Sequence, residues 1–142
     1  MTDYRTAFSG IRPHNLGKGA VPFKAAQAEV AEILKDRILV GHSLANDLPV
    51  LFLSHHHRKI RDTQKYKPFR KLCGGMPSLK KLAKAVLRVD VQTGEHSSVE
   101  DAQTAMRLYM MHRTEWEKEL KEKRRKGTTT TTTVAAAKKT DD

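Results

Sequence analysis

Ile38-Leu39-Val40-Gly41-His42-Ser43-Leu44-Ala45-Asn46-Asp47-Leu48 is the stretch that decides the fold. Its opening apolar run is β-prone and has the length of a buried parallel strand, and Gly41 ends it. The residues after it turn helical: from Asn46 to Leu53 the pattern Leu48, Leu51, Phe52 predicts a helix, with Pro49 in the first turn, where a missing N–H costs nothing. A buried strand that feeds a helix points to an α/β fold. In an open sheet of that class ligands sit beyond the carboxyl ends of the strands, which makes Asp47 a candidate site residue. The alternative is that Asn46 or Asp47 simply caps the helix.

Outward from that stretch, Ala26, Val30, Ile33 and Leu34 predict an amphipathic helix over Phe23 to Lys35. Gly10, Pro13, Gly17, Gly19 and Pro22 punctuate what precedes it into loop. Lys59 to Thr63 is a second strand candidate anchored only by Ile60. Ser78 caps a further helix whose stripe is Leu79, Leu82, Ala83, Val86 and Leu87. Ser97 and Glu100 form a capping box that opens a last helix, with Ala102, Ala105, Met106 and Tyr109 as its core face. That helix is expected to turn charged from Glu115 and to stop at Gly127. The Thr, Ala and Lys-rich remainder is expected to be disordered, giving a domain over residues 1–116 and a charged end and tail over 117–142.

The chain has 142 residues, enough for one modest core. Its formal charge of +11 sets up a field that attracts polyanions, nucleic acid or an anionic membrane face. No run approaches the roughly 20 apolar residues of a membrane span, and Met1 to Phe8 lacks the apolar core of a signal peptide. A soluble intracellular protein is expected. Cys73 is the only cysteine, so no intrachain disulfide or cysteine-based zinc site can form.

His96 and Asp101 straddle the start of the last helix. Helical side chains lean toward the N-terminus, so the Asp101 carboxylate points back toward the imidazole and the two can share one site. The bland alternative is a dipole-complementing Asp101 and a loop histidine. Between Arg58 and Lys71, basic residues crowd around the single Asp62, with Tyr66 and Phe69 interleaved. Arg58, Lys59, Arg61, Lys65, Tyr66 and Lys67 are the candidates for tracking phosphates and stacking unpaired bases, unless Tyr66 and Phe69 pack inward. His55-His56-His57 cannot easily turn to one ion and is expected to be a solvated helix end. Lys118 to Lys126 is either a nuclear-localisation or RNA-contacting patch or a polar helix end.

These residues carry a family resemblance. Gly41 to Leu48 resembles the second motif of the DEDDh exonucleases, Gly-His-x-x-x-Asn-Asp-Leu, and His96 to Asp101 is similar to the third, His-x-x-x-x-Asp. Tyr4-Arg5-Thr6, Ser9-Gly10-Ile11-Arg12-Pro13 and Arg61-Asp62-Thr63-Gln64-Lys65-Tyr66-Lys67-Pro68 resemble the RNA exonuclease 4 branch in particular. The likeness runs from Thr2 to about Trp116. It implies a ribonuclease H-like fold in which carboxylates hold two divalent ions, Mg²⁺ or Mn²⁺, and a histidine is the general base. Asp47 and Asp101 match two of the metal-binding carboxylates and His96 matches the base. Implied with them are hydrolysis from single-stranded 3′ ends of RNA, ribosomal RNA processing and a place in the nucleus or nucleolus.

The family's first motif, Asp-x-Glu on the opening strand, has no counterpart: none of the eight aspartates is followed two residues later by glutamate. The fold is therefore expected to be incomplete, lacking the opening strands of its mixed sheet, and the activity impaired. A non-catalytic RNA-binding fragment, or an incomplete gene product without a stable fold, are the other readings.

Overall fold

A computed structural model describes residues 22–95 and 97–137, with side chains to Thr128. Contacts divide the chain into two units, Met1–Tyr109 and Met110–Asp142.

In the first unit, α1 (Phe23–Leu34) begins after Pro22, whose carbonyl accepts from Ala26 N at 3.0 Å. Helix α1 docks beside the end of α2 (Leu44–Val50). Gln27 Nε2 donates to Leu51 O at 2.9 Å, and the rings of Phe23 and Phe52 meet edge-on at 6.2 Å. Strand β1 (Leu39–Gly41) pairs in parallel with β2 (Ile60–Asp62), in the register Leu39 with Ile60, Val40 with Arg61 and Gly41 with Asp62. Helix α2 lies in the crossover between them, followed by a 3₁₀ turn at His57–Lys59. Parallel pairing puts the carboxyl ends of both strands at one edge, and that edge becomes the site.

Helix α2 starts two residues before the Asn46 start that its pattern predicts. Pro49 therefore falls in the second turn, and the helix ends one residue later at Val50. A proline there removes an internal hydrogen bond, which suits a helix this short. Residues 67–73 form a helix, α3 (Lys67–Cys73), where the basic run suggests loop. Pro68 in its first turn and Gly74, left-handed at φ 72°, bracket it.

Helix α4 (Leu79–Leu82) is capped by the Ser78 hydroxyl, which accepts from Lys81 N at 3.1 Å, and it widens into a π turn over Ala83–Leu87. Its predicted stripe holds: Leu79, Leu82 and Ala83 are buried. Helix α5 (Ser98–Ala137) is likewise capped by Ser97, whose hydroxyl accepts from Glu100 N at 3.4 Å. Its inner face is rotated from the expected one. Thr104, Ala105, Leu108 and Tyr109 are buried, whereas Ala102 is exposed and Met106 is 46% exposed. Thr104 tolerates burial because its hydroxyl donates to Glu100 O at 2.8 Å. Asp101 stands three residues before Thr104, on the same side of the helix.

The second unit carries the remainder of that helix. It passes through Gly127 and continues to Ala137, beyond the stop read from the sequence. Glycine inside a helix costs about 1 kcal/mol relative to alanine, a penalty rather than a terminator. Thr128 lies within it, its hydroxyl donating to Arg124 O at 3.0 Å.

Candidate active site

The edge beyond β1 and β2 is held by a turn that only particular residues permit. A Cβ on Gly41 would lie 2.5 Å from Leu44 Cδ2, so any larger residue would force the Leu44 side chain to move where the strand passes under the first turn of α2. Ser43 is left-handed, φ 64°, a conformation that costs a non-glycine residue on the order of 1 kcal/mol. Three main-chain donors converge on one carboxylate to hold it there. Ser43 N and Gln64 N donate to Asp62 Oδ1, both at 2.9 Å, and Leu44 N donates to Oδ2 at 3.0 Å. Asp62 is 7% exposed. A charge-assisted acceptor at the start of α2 satisfies amides that the helix itself cannot.

His42 closes the same corner. Its Nε2 lies 3.1 Å from Pro77 O and its Nδ1 2.8 Å from Thr63 Oγ1. Pro77 O can only accept, so Nε2 carries the hydrogen. Burial lowers the His42 pKa from 6.5, against the opposing pulls of Asp62, the Pro77 carbonyl, Asp101 and Asp47. In the neutral ring Nδ1 is an acceptor, and the single hydrogen of the Thr63 hydroxyl is shared between it and Gly41 O at 3.2 Å. With both nitrogens engaged, this imidazole is a structural strut and is not free to take a proton from water.

Asp47 is the fourth residue of α2 and exposed. Desolvation and then the charge of Asp62 raise its pKa from 3.8, and His42 opposes them. Asp101, the fourth residue of α5, accepts from Gln92 Nε2 at 2.8 Å. Asp47 and Asp101 both act on the charge of His42, each favouring its protonated form against the desolvation that dominates. They offer the hard oxygen donors that Mg²⁺ or Mn²⁺ prefers. Among the described residues, however, no three His, Cys, Asp or Glu side chains form a group able to hold a metal ion. His96 and the motifs between Tyr4 and Pro13 lie outside the described residues.

The basic candidates separate on burial. Arg61 is 2% exposed, its Nη1 donating to Arg58 O at 2.7 Å and Ile60 O at 3.0 Å, and Tyr66 is 6% exposed with its ring edge-on to Phe69 at 5.0 Å. These two are core, which corrects their reading as a nucleic-acid surface. Lys59 pairs with Asp36 at 3.5 Å. Arg58, Lys65 and Lys67 are exposed. In the histidine run, the ring of His56 stacks on that of His57 and caps the 3₁₀ turn, while His55 bonds Arg37 O at 2.8 Å. Sequence reading missed the importance of Asp62; the only signal was an acidic residue in a basic run, at the end of a strand.

Candidate residues at the carboxyl edge of a parallel strand pair define an α/β fold with its ligand site at that edge, and comparison with known proteins makes the class specific. The chain belongs to the exonuclease family, whose profile, described as "Exonuclease", matches residues 1–109. It is similar to RNA exonuclease 4 of Xenopus laevis, 60% identical over 87% of this chain and 29% of that protein. RNA exonuclease 4 of Homo sapiens is 57% identical over 87% of this chain and 29% of the relative, so the chain spans less than a third of the length of either. Among solved structures it resembles the Saccharomyces cerevisiae Pan2 pseudoubiquitin hydrolase–RNA exonuclease module in complex with AAGGAA RNA. There the TM-score is 0.69 and the identity 28%, over 92% of this chain and 23% of that one. The resemblance to the RNA exonuclease 4 branch is borne out, and the fold is the α/β ribonuclease H-like fold that it implies. This exonuclease family generally uses divalent metal ions.

Proposed function

We propose that the chain acts in 3′-5′ exonucleolytic hydrolysis of RNA, with Asp47 and Asp101 binding Mg²⁺ or Mn²⁺ and His96 taking the proton of the attacking water. The observation that supports this most is that Asp47 and Asp101, each in the first turn of a separate helix, both bear on the charge of His42 at the carboxyl ends of the strands. When bound, the ions stabilise the charge on the attacking and leaving oxygens of the phosphodiester. The residues' own tasks are to orient and to exclude. Asp47 and Asp101 present oxygens from the first turns of α2 and α5, the half-buried His42 braces the floor, and Arg58, Lys65 and Lys67 attract the phosphate backbone. Ribosomal RNA as substrate, single-stranded 3′ ends and a nuclear or nucleolar location complete the proposal.

Two aspartates leave most of a metal's coordination to water, so slow turnover is expected of a polypeptide whose sequence holds no Asp-x-Glu pair. The test is the release of mononucleotides from 3′-labelled RNA in Mn²⁺. Slow release that Asp101→Ala and chelation both abolish supports the proposal; release indifferent to either overturns it. The charge of +11 and the exposed Arg58, Lys65 and Lys67 favour a second reading, an RNA-binding module without catalysis. In that case no mononucleotide appears, and affinity for RNA falls steeply with salt but ignores chelation.

A further inference from the structure

We infer that Asp62 is a positioning residue for Asp47: it fixes the left-handed turn at Ser43 that aims the first turn of α2, and thereby the Asp47 carboxylate, at the site. The proposal rests on the reading of Asp47 as a metal ligand, and its geometry is independent of that reading. Asp62 is buried, and both of its oxygens accept main-chain N–H groups, two of them from the consecutive residues Ser43 and Leu44 that start α2. The third, Gln64 N, ties the carboxylate to the chain just beyond its own strand, so the start of α2 is referenced to β2 and not only to β1. Asp62 does not itself read as a ligand, because three N–H dipoles point their positive ends at its carboxylate and would repel a cation sharing it.

Displacement at Ser43 has a direct route to Asp47. Asn46 N donates to Ser43 O at 3.1 Å and Asn46 Nδ2 to Ser43 Oγ at 2.8 Å, so a rotation of Ser43 carries the neighbouring turn with it. A left-handed non-glycine residue persists only where its surroundings over-determine it. Here the over-determining group is a side chain from another strand.

The experiment compares the full chain with Asp62→Asn, nearly isosteric but without the charge, by amide NMR during a Mn²⁺ titration. In the wild type, the amides of Asp47 and Asp101 report the same site and broaden together. In the variant, both are expected to need at least fivefold more Mn²⁺, while the amides of α4 exchange at their wild-type rate. Faster exchange in α4, as a general loss of stability would cause, or an unshifted Mn²⁺ titration, overturns the proposal. If Asp62→Asn does not fold, Asp62→Asn with Ser43→Gly supplies the background, since glycine takes the positive φ without cost. Asp47→Ala serves as the control for the metal reading. If it leaves the Mn²⁺ broadening unchanged, that reading fails, and the positioning role is judged on hydrogen exchange alone. Exchange of the Asn46, Asp47 and Leu48 amides accelerated at least tenfold by Asp62→Asn, with α4 unaffected, supports it; unchanged exchange in α2 overturns it.

Discussion

The two carboxylates of the site stand on supports of very different stiffness. Asp47 rises from a corner where Gly41, His42, Ser43, Leu44, Asp62 and Thr63 are joined by buried or half-buried hydrogen bonds across two strands. The side chain of Asp101 is steadied by Gln92, itself left-handed at φ 57° in an irregular segment. One flank is preorganised by side chains distant in sequence, and the other is held locally by a cap and a single amide. In the proposed role, such a pair would present one oxygen rigidly while the second adjusts to the ion or the substrate strand, at little reorganisation cost on the rigid side.

The largest effect that would break the contrast is at Gly41. Gly41→Ala drives a methyl into Leu44, which is only 9% exposed, and should cost up to about 3 kcal/mol in urea unfolding. A loss below about 0.5 kcal/mol would show that the corner yields easily and that the two flanks do not differ.

Next is Thr63→Val, which keeps the shape and deletes the hydroxyl facing His42 Nδ1. Leaving that nitrogen without its donor should cost about 1 to 2 kcal/mol. The pH dependence follows from the lowered His42 pKa. The unfolded chain takes up the proton near 6.5 and the folded chain only at lower pH, so the contribution of this residue is complete above 6.5 and lost as pH falls through the folded value. Valine also removes the one acceptor within reach of a protonated Nδ1 and makes its surroundings more apolar, so protonation in the folded variant is harder and the variant should lose more stability between pH 7 and pH 5 than the wild type. Parallel melting-temperature curves over that range would sink the strut assignment. On the softer flank, Gln92→Ala should cost about 0.5 kcal/mol in the same assay, the low end for one half-buried hydrogen bond.

The contrast between the flanks also marks what the sequence made legible. Strands β1 and β2, the Ser78 and Ser97 caps and the stripe of α4 were readable because each is written locally, in a run, a cap or a period. Helix α3 was not, because Phe69 and Leu72 are too few to show a period, and only Pro68 and Gly74 announce it. The inner face of α5 was assigned to Ala102 and Met106 because threonine looks polar until its hydroxyl is seen bonded to Glu100 O. Asp47 and Asp101 could be singled out by motif, whereas the bonds Asp62 makes to Ser43 and Leu44 span nearly a score of residues and leave no local pattern. Burial likewise separated Arg61 and Tyr66 from Arg58, which composition alone treats alike.

The smallest expected effect is also the one of opposite sign. Desolvation and the neighbouring Asp62 raise the Asp47 pKa above 3.8, so the folded state prefers the protonated carboxyl. The stability from that preference is present below 3.8 and is lost as pH rises through the folded value, which leaves ionised Asp47 mildly unfavourable at neutral pH. Asp47→Asn should therefore raise the melting temperature slightly at pH 7, with the gain shrinking toward zero as pH approaches 3. Solvent screens an exposed residue, so the gain is small, but its sign is diagnostic. A rigid corner that holds two like charges together stabilises the site at the expense of the fold, and divalent metal should reverse the order, favouring the wild type over Asp47→Asn in the same melting assay. If Asp47→Asn instead lowers stability at pH 7 without metal, Asp47 is an ordinary helix residue and the rigid flank presents no functional carboxylate.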